Sequence, residues 1–248
     1  MSDPFLDSLE TAESVSEKVN ILVYGPPAVG KTFFAGSGAN DGENVLILSI
    51  ENGLNAISRP GNKTKIRRIE SYPKLLEAVE WVQKNPYTFD WVVVDSLSRL
   101  QSKLLWPWVE KQRKEKQKKL DSKEIKRELQ EYHTVFLHTE KFIDDLCYSG
   151  ANVIFLATDT SLKEDSRIIC PDIDGRKGKM PDYLMGRMDL AFHLTTIKND
   201  KGKVIRKFDS TPHEFIRTQD KLELYPKPVA NLTLERLTND MQAKYGVE

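Results

Sequence analysis

The sequence has few of the residues that build disulfide frameworks or metal clusters. Its 248 residues include two cysteines and four histidines. Cys147 and Cys170 show no metal-ligand spacing with any histidine, which excludes a disulfide-stapled scaffold and a zinc-finger-like site. We therefore expect a reducing compartment, the cytoplasm, and interpret all four histidines as structural or surface residues.

The sequence also lacks an excess of charge of either sign and any long apolar run. Thirty-seven Lys and Arg balance 37 Asp and Glu, so no global field draws the molecule to nucleic acid or to an anionic membrane. A polyanion site has to be a local patch. The longest apolar stretches have the length of strands, and the chain starts with acidic residues. We expect neither a membrane span nor a secretory signal.

Residues 1–18 are acidic and rich in serine, which predicts a flexible tail that cannot bury enough apolar surface to order itself. Phe5, Leu6 and Leu9 form a small apolar cluster within it. The alternative interpretation of this cluster is a latch that contacts a neighbouring subunit.

From residue 19 onward, apolar runs alternate with segments of helical length. The runs are nearly continuous, as in strands that are buried on both faces, and they predict an α/β fold with a mainly parallel sheet flanked by helices. The predicted strands are 20–24, 45–50, 66–69, 91–94 and 153–157. A helix is predicted over 73–84, and one long helical arm over about 98–149, where Asp121 and Glu124 have the spacing of a capping box.

After Arg187 the pattern changes to shorter strands separated by polar turns. Strands are predicted over 190–197, 204–208 and 214–218, with a turn at 199–202. These segments form a predicted antiparallel extension over 190–219. A last helix is predicted within 231–248.

The strongest motif lies between the first predicted strand and a helix. It fits the pattern G-x-x-x-x-G-K-[ST] of a phosphate-binding loop and consists of Gly25, Pro26, Pro27, Ala28, Val29, Gly30, Lys31 and Thr32. Glycines let the backbone wrap tightly, and the amides beyond Pro27 point at the phosphates, favoured by the dipole of the following helix. We expect Lys31 to contact the β and γ phosphates of ATP, and Thr32 to bind Mg²⁺.

Polar side chains follow three further strands at the same predicted edge of the sheet. Asp95 is expected to orient water on the magnesium ion. Glu51 is the candidate for positioning or deprotonating the attacking water, with a turn cap before Gly53 as the alternative. Thr158 is the candidate sensor of the γ-phosphate.

These four strand ends resemble the RecA-like ATPases, especially the small phage-type nucleotide-binding proteins related to single-strand annealing recombinases. The resemblance covers residues 19–230 and rests on Glu51, on Asp95 followed by Ser96, and on the long segment after Thr158. It implies a RecA-like P-loop NTPase core in which the strand before Thr158 lies between the strands that precede Gly25 and Ser96.

The resemblance also implies a homo-oligomer with its ATP site at a subunit interface. Arg217 or Lys221 occupies the position from which a cation could reach the γ-phosphate of a neighbouring subunit, so that hydrolysis would depend on assembly. Surface solvation is the alternative role of both residues.

A DNA-contacting loop is implied over 159–187. It contains a basic cluster of Arg176, Lys177 and Lys179 with Tyr183 nearby, a composition suited to phosphates and a stacked base, although its basic and acidic residues balance. Residues 110–127 are the most positive stretch of the chain and form either a solvated helix face or a DNA footprint.

Together these patterns predict an ATPase that acts on single-stranded DNA in phage-type recombination or annealing. Its hydrolysis would be stimulated by DNA or by assembly, and its location would be a bacterial host cytoplasm if a phage encodes it. Two alternatives stay open: an annealing module in which the nucleotide is structural, and a P-loop kinase.

Overall fold

The computed structural model of the chain describes residues 18–51, 53–120, 129–162, 167–174, 179–199 and 201–246. Eleven strands lie in this part of the chain: β1 (Asn20–Tyr24), β2 (Val45–Ser49), β3 (Lys65–Arg68), β4 (Trp91–Asp95), β5 (Val153–Ala157), β6 (Asp159–Ser161), β7 (Ile169–Pro171), β8 (Leu190–Lys198), β9 (Val204–Asp209), β10 (Gln219–Asp220) and β11 (Val229–Ala230).

Eight helices accompany these strands in the described ranges. They are α1 (Lys31–Ala35), α2 (Ala39–Gly42), α3 (Tyr72–Lys84), α4 (Leu97–Arg99), α5 (Trp106–Leu120), α6 (Leu129–Cys147), α7 (Lys179–Arg187) and α8 (Leu234–Tyr245). A 3-10 turn spans Leu54–Ala56, and a π-helical segment, Leu100–Leu105, joins α4 to α5.

A nine-stranded sheet forms the centre of the molecule, in the order β11-β9-β8-β1-β5-β4-β2-β3, with β10 paired to β8. The strands from β8 to β3 are parallel, whereas β9, β10 and β11 pair antiparallel. This confirms the predicted mainly parallel α/β sheet with an antiparallel extension. It also places β5 between β1 and β4, as the resemblance implied.

The strands are buried because both faces of the sheet are covered. Along β1, Leu22 belongs to a core shared with α3, α6 and α7, whereas Val23 belongs to a second core shared with α1 and α8. Both side chains are fully buried. Successive side chains of a strand point to opposite faces, so a strand between two layers has to be apolar at every position, as the sequence pattern indicated.

Two predicted elements differ in the structure. The single helical arm over 98–149 is divided into the π-helical segment, α5 and α6, and α5 packs on α6 through Trp106 and Tyr132, whose ring centroids are 4.7 Å apart. Asp121 and Glu124 lie outside the described residues.

The third strand of the extension, predicted over 214–218, is absent from the described chain. Only Ile216 makes a bridge there, parallel to Ile169. The carbonyl of Arg217 accepts a hydrogen bond from the Tyr24 hydroxyl at 2.7 Å, and the Thr218 hydroxyl donates to the Thr211 carbonyl at 2.5 Å. In this segment two backbone hydrogen bonds join Phe215 and Arg217 to Ile169 of β7, and pairing with β8 begins only at Gln219.

Within the described residues, no helix has both the length and the apolar character needed to cross a membrane.

Candidate active site

The phosphate-binding loop leaves β1 at Tyr24 and enters α1 at Lys31. Glycine is required at two of its positions. A Cβ atom at residue 25 would lie 2.1 Å from the carbonyl oxygen of Leu194 on β8, and Gly30 has a φ of +108°, a left-handed conformation that glycine adopts readily. The following helix has only five residues, so the anion-binding capacity rests more on the loop amides than on a helix dipole.

Lys31 closes this loop on itself. Its Nζ donates hydrogen bonds to the carbonyl oxygens of Gly25 at 2.7 Å and Pro26 at 2.9 Å, and only 9% of the residue is exposed. Burial lowers the pKa of Lys31, and this effect is opposed by the carboxylates of Asp159, Asp95 and Glu51. The lysine is thus a buried cation that faces acidic groups.

Thr32 and Asp95 meet directly beside the loop. The Thr32 hydroxyl donates to Oδ2 of Asp95 at 2.8 Å. Burial raises the pKa of Asp95, and the hydrogen bond from Thr32 lowers it in part. Two oxygens brought together in this way suit Mg²⁺, which is bound by one or two protein oxygens together with substrate phosphates. Among the described residues, no group of three or more His, Cys, Asp and Glu is placed to hold a metal by itself.

Glu51 lies next to Asp95 because β2 and β4 are neighbouring parallel strands. The carbonyl oxygen of Asp95 accepts hydrogen bonds from the backbone N–H groups of Ile50 at 2.7 Å and Glu51 at 3.2 Å. Oε1 of Glu51 accepts a hydrogen bond from the Ser96 hydroxyl and lies 3.6 Å from Nε of Arg99. The structure therefore brings Lys31, Glu51 and Asp95 to one edge of the sheet, while their catalytic roles stay predictions.

Thr158 lies at the end of β5, where its backbone and side chain have different partners. Its N–H donates to the Ser98 hydroxyl at 3.0 Å, and its own hydroxyl donates to Oδ2 of Asp172 at 3.2 Å. Asp172 directly follows β7. Thr158 thus connects the sheet edge to the β6–β7 hairpin, and its contact with a γ-phosphate stays a prediction.

Asp159 and His193 form a pair that the sequence interpretation missed. Nε2 of His193 lies 3.2 Å from Oδ2 of Asp159, and the histidine is buried, with its ring centroid 5.1 Å from that of Tyr24. Asp159 is the acidic group that acts most strongly on Lys31. Asp159 lies two residues after a buried strand, as Glu51 does. This position was the signal in the sequence that could have indicated a site residue. The parallel pairing of Tyr24 with His193, which sets the histidine beside it, could not be inferred from the sequence.

Arg206 also contacts the phosphate-binding loop from outside the motif. Its Nε donates to the carbonyl oxygen of Val29 at 3.2 Å. Its guanidinium carbon lies 4.7 Å from the ring centroid of Phe33, and that of Arg59 lies 5.2 Å from the same centroid. A Cβ atom at Gly30 would lie 2.2 Å from Nε of Arg206. Arg206 of the antiparallel extension thus contacts the loop through the carbonyl group of Val29.

The implied DNA loop over 159–187 contains the β6–β7 hairpin and α7. Arg176 and Lys177 lie outside the described residues, and Lys179 is exposed at the start of α7. Tyr183 does not offer a free ring for base stacking: its hydroxyl donates to Oδ2 of Asp144 at 2.6 Å, and the guanidinium carbon of Arg187 lies 4.9 Å from its ring centroid.

The two predicted trans cations lie at different places on the surface. Nε of Arg217 is 3.5 Å from Oδ1 of Asp182. The backbone N–H of Lys221 donates to the carbonyl of Asp189, just before β8. Because β8 runs parallel to β1, both strands begin at the same end of the sheet, and Lys221 lies there. The phosphate-binding loop of the same chain follows the other end of β1.

The tryptophans beside the basic stretch are packed within the protein. The ring of Trp108 lies 5.0 Å from that of Tyr72 and 4.9 Å from that of His138, centroid to centroid. In the basic stretch itself, Arg113 pairs with Glu131 at 3.4 Å. These contacts show that the tryptophan ring and the Arg113 side chain are engaged in packing between helices.

A phosphate-binding loop between a buried strand and a helix, on a mainly parallel sheet, defines a P-loop NTPase. The AAA_24 family model, described as an AAA domain, matches residues 17–223, which is well over half of the chain. The chain therefore belongs to this family of AAA domains, and its fold is that of a P-loop NTPase.

No curated protein matches the sequence. Among solved structures, the chain is similar to the ATPase DotB of Legionella pneumophila, at 9% sequence identity and a TM-score of 0.35, over 84% of this chain and 48% of that one. The chain thus spans about half the length of that structure. A likeness at this level supports no argument on function.

The buried carboxylate of Asp95 leads to a prediction on stability. Burial raises its pKa, so at pH 7 the ionised form is less favourable in the folded protein than in the unfolded chain, and this group lowers stability. We expect Asp95→Asn to raise the free energy of unfolding by roughly 1 kcal/mol in urea titrations without nucleotide or Mg²⁺. Asp90→Asn, at an exposed turn, is the control and should change it by less than about 0.5 kcal/mol. A less stable Asp95→Asn protein would contradict the prediction.

Proposed function

We propose that this P-loop ATPase hydrolyses ATP with Mg²⁺ and acts on single-stranded DNA in phage-type recombination or annealing. The observation that supports hydrolysis is the convergence of Lys31, Thr32, Asp95 and Glu51 at one sheet edge. The proposed action on DNA rests on the resemblance of the strand ends to RecA-like annealing proteins.

Binding of a triphosphate would begin with an exchange of partners at Lys31. Its ammonium group donates to two carbonyls of its own loop, and phosphate oxygens carrying negative charge are stronger acceptors than carbonyls. The oxygens of Thr32 and Asp95 would hold Mg²⁺, directly or through water. When bound, the ion supplies charge neutralisation to the β and γ phosphates.

Glu51 is the residue proposed to act on the attacking water. Ser96 donates a hydrogen bond to its carboxylate, and Arg99 lies beside it, so both are positioning residues. A carboxylate fixed next to the phosphate-binding loop can orient a water molecule towards the γ-phosphate and accept its proton. Lys31 then stabilises the charge that develops on the phosphate oxygens.

Assembly into a homo-oligomer with the ATP site at a subunit interface belongs to the same proposal. Arg217 is exposed to a considerable extent, with 42% of its side chain accessible, and Lys221 lies at the opposite sheet edge from its own loop. From there Lys221 could reach only the phosphate of a neighbouring subunit, and Arg217 is proposed to act on a neighbour as well. DNA would contact the segment 159–187, where Lys179 is exposed.

The proposal is tested by ATP hydrolysis measured with and without single-stranded DNA over a series of protein concentrations. We expect activity that rises more steeply than linearly with protein concentration, because the site is completed by a neighbour, and further stimulation by DNA. Linear dependence without a DNA effect contradicts shared sites and DNA coupling. Transfer of the phosphoryl group to a small acceptor would instead indicate a P-loop kinase.

Lys31→Ala separates the ATPase from an annealing module in which the nucleotide is structural. Loss of the buried ammonium removes the main cation of the loop, so we expect ATP turnover to fall by at least about 100-fold and strand annealing to be lost with it. Lys84→Ala, on the exposed face of α3, is the matched control with both activities unchanged. Annealing that survives in Lys31→Ala would support the module.

Glu51→Gln tests the water-activating role. Glutamine keeps an acceptor for Ser96 but cannot take a proton, so we expect turnover to fall about 100-fold or more, while calorimetry shows Mg-ATP binding within a few-fold of the parent. Glu80→Gln, on exposed α3, should leave turnover unchanged. Full turnover in Glu51→Gln would mean that Glu51 only caps the turn before Gly53.

A further inference from the structure

An apolar groove lies at the β3 edge of the sheet, away from the phosphate-binding loop. It has a volume of about 450 Å³ and runs between β2 and β3 on one side and α3 on the other. Leu48, Ala78, Trp81 and Phe89 give it apolar walls, and the charged residues Arg67 and Glu77 also line it.

The aromatic end of this groove is exposed. Trp81 retains 43% of its accessible surface, and its ring centroid lies 6.1 Å from that of Phe89. A tryptophan that is open to water beside an apolar wall marks a surface whose burial would lower the free energy of the protein.

The same edge is positively charged and open. Within the described residues β3 pairs only with β2, and all four of its residues are exposed. Lys65 and Arg67 pair with Leu46 and Leu48 of β2 and therefore share the groove-facing side of the strand. An exposed edge strand is a template for unwanted pairing unless charged side chains protect it or another segment covers it.

The described chain begins beside the loop that joins α3 to β4 and contains the groove residue Phe89. Nζ of Lys18 lies 5.3 Å from the ring centroid of Tyr87, and Tyr87 precedes the groove residue Phe89 by two positions. Residues 1–17 contain five acidic residues and no Lys or Arg. They also contain the apolar cluster of Phe5, Leu6 and Leu9.

The length of the segment fits this groove within one chain. Four strand spacings separate β1 from β3, which is about 19 Å. Leu9 and Lys18 are nine residues apart and can span up to about 30 Å when extended. Because the segment is tethered, its effective concentration at the groove is high, so that modest contacts suffice for occupancy.

We propose that residues 1–17 occupy this groove of their own chain. The apolar cluster packs on Trp81 and Phe89, and the acidic side chains face Lys65 and Arg67. The segment thereby covers the open β3 edge and keeps it from pairing with a second copy.

The test measures how fast N-ethylmaleimide alkylates a cysteine placed in the groove by Glu77→Cys. The native Cys147 and Cys170 are buried, so their background reaction is slow. We expect alkylation of the full-length variant to be several-fold slower than that of the same variant lacking residues 2–16, at every protein concentration. Equal rates overturn the proposal. Protection that is lost on dilution also overturns it, because the occupant is then a neighbour's segment.

Two matched variants guard against indirect effects. Val204→Cys lies on β9, at the opposite end of the sheet, and is 52% exposed, so its alkylation rate should be the same with and without residues 2–16. Phe5→Ser with Leu9→Ser, added to the full-length Glu77→Cys chain, should raise alkylation to the rate of the shortened chain. Continued protection in that variant contradicts the assigned apolar contact.

Discussion

The parallel alignment of β1, β5, β4 and β2 is the constraint on which the rest of the structure depends. Because all four strands run in the same direction, each delivers its following residue to one edge of the sheet. The bonds from the N–H groups of Ile50 and Glu51 to the Asp95 carbonyl extend this alignment past the strand ends. Lys31, Glu51 and Asp95 therefore meet although they are widely separated along the chain.

This gathering of charge opposes folding. Lys31 and Asp95 are both buried. Burial lowers the pKa of Lys31 and raises the pKa of Asp95, so it favours the neutral form of each. Their mutual attraction offsets part of the desolvation. The apolar layers on the two faces of the sheet supply the stability that lets such a site persist. The opposition between local function and stability is common at sites built to bind a multiply charged ligand.

The sequence predicted those parts of the molecule that local patterns determine. Buried strands appear as continuous apolar runs, and the phosphate-binding loop has a fixed spacing, so both could be recognised. The contact between Arg206 and Val29 joins residues 177 positions apart, and nothing in either neighbourhood indicates it. The segment 214–218 has strand-like composition, but a hydrogen bond from Tyr24 takes the carbonyl of Arg217. Tertiary contacts there override local propensity.

The hydrogen bond from Arg206 to Val29 connects the phosphate-binding loop with the β8–β9 hairpin. Arg206 lies in β9, which pairs with β8 along six residue pairs, so the hairpin is stiff and its strands move as one body. A displacement of Val29 therefore changes the contact with Arg206, which is the side-chain link between the loop and the hairpin. The hairpin thus connects the nucleotide pocket, through Arg206, with the turn that follows Lys198 at the protein surface.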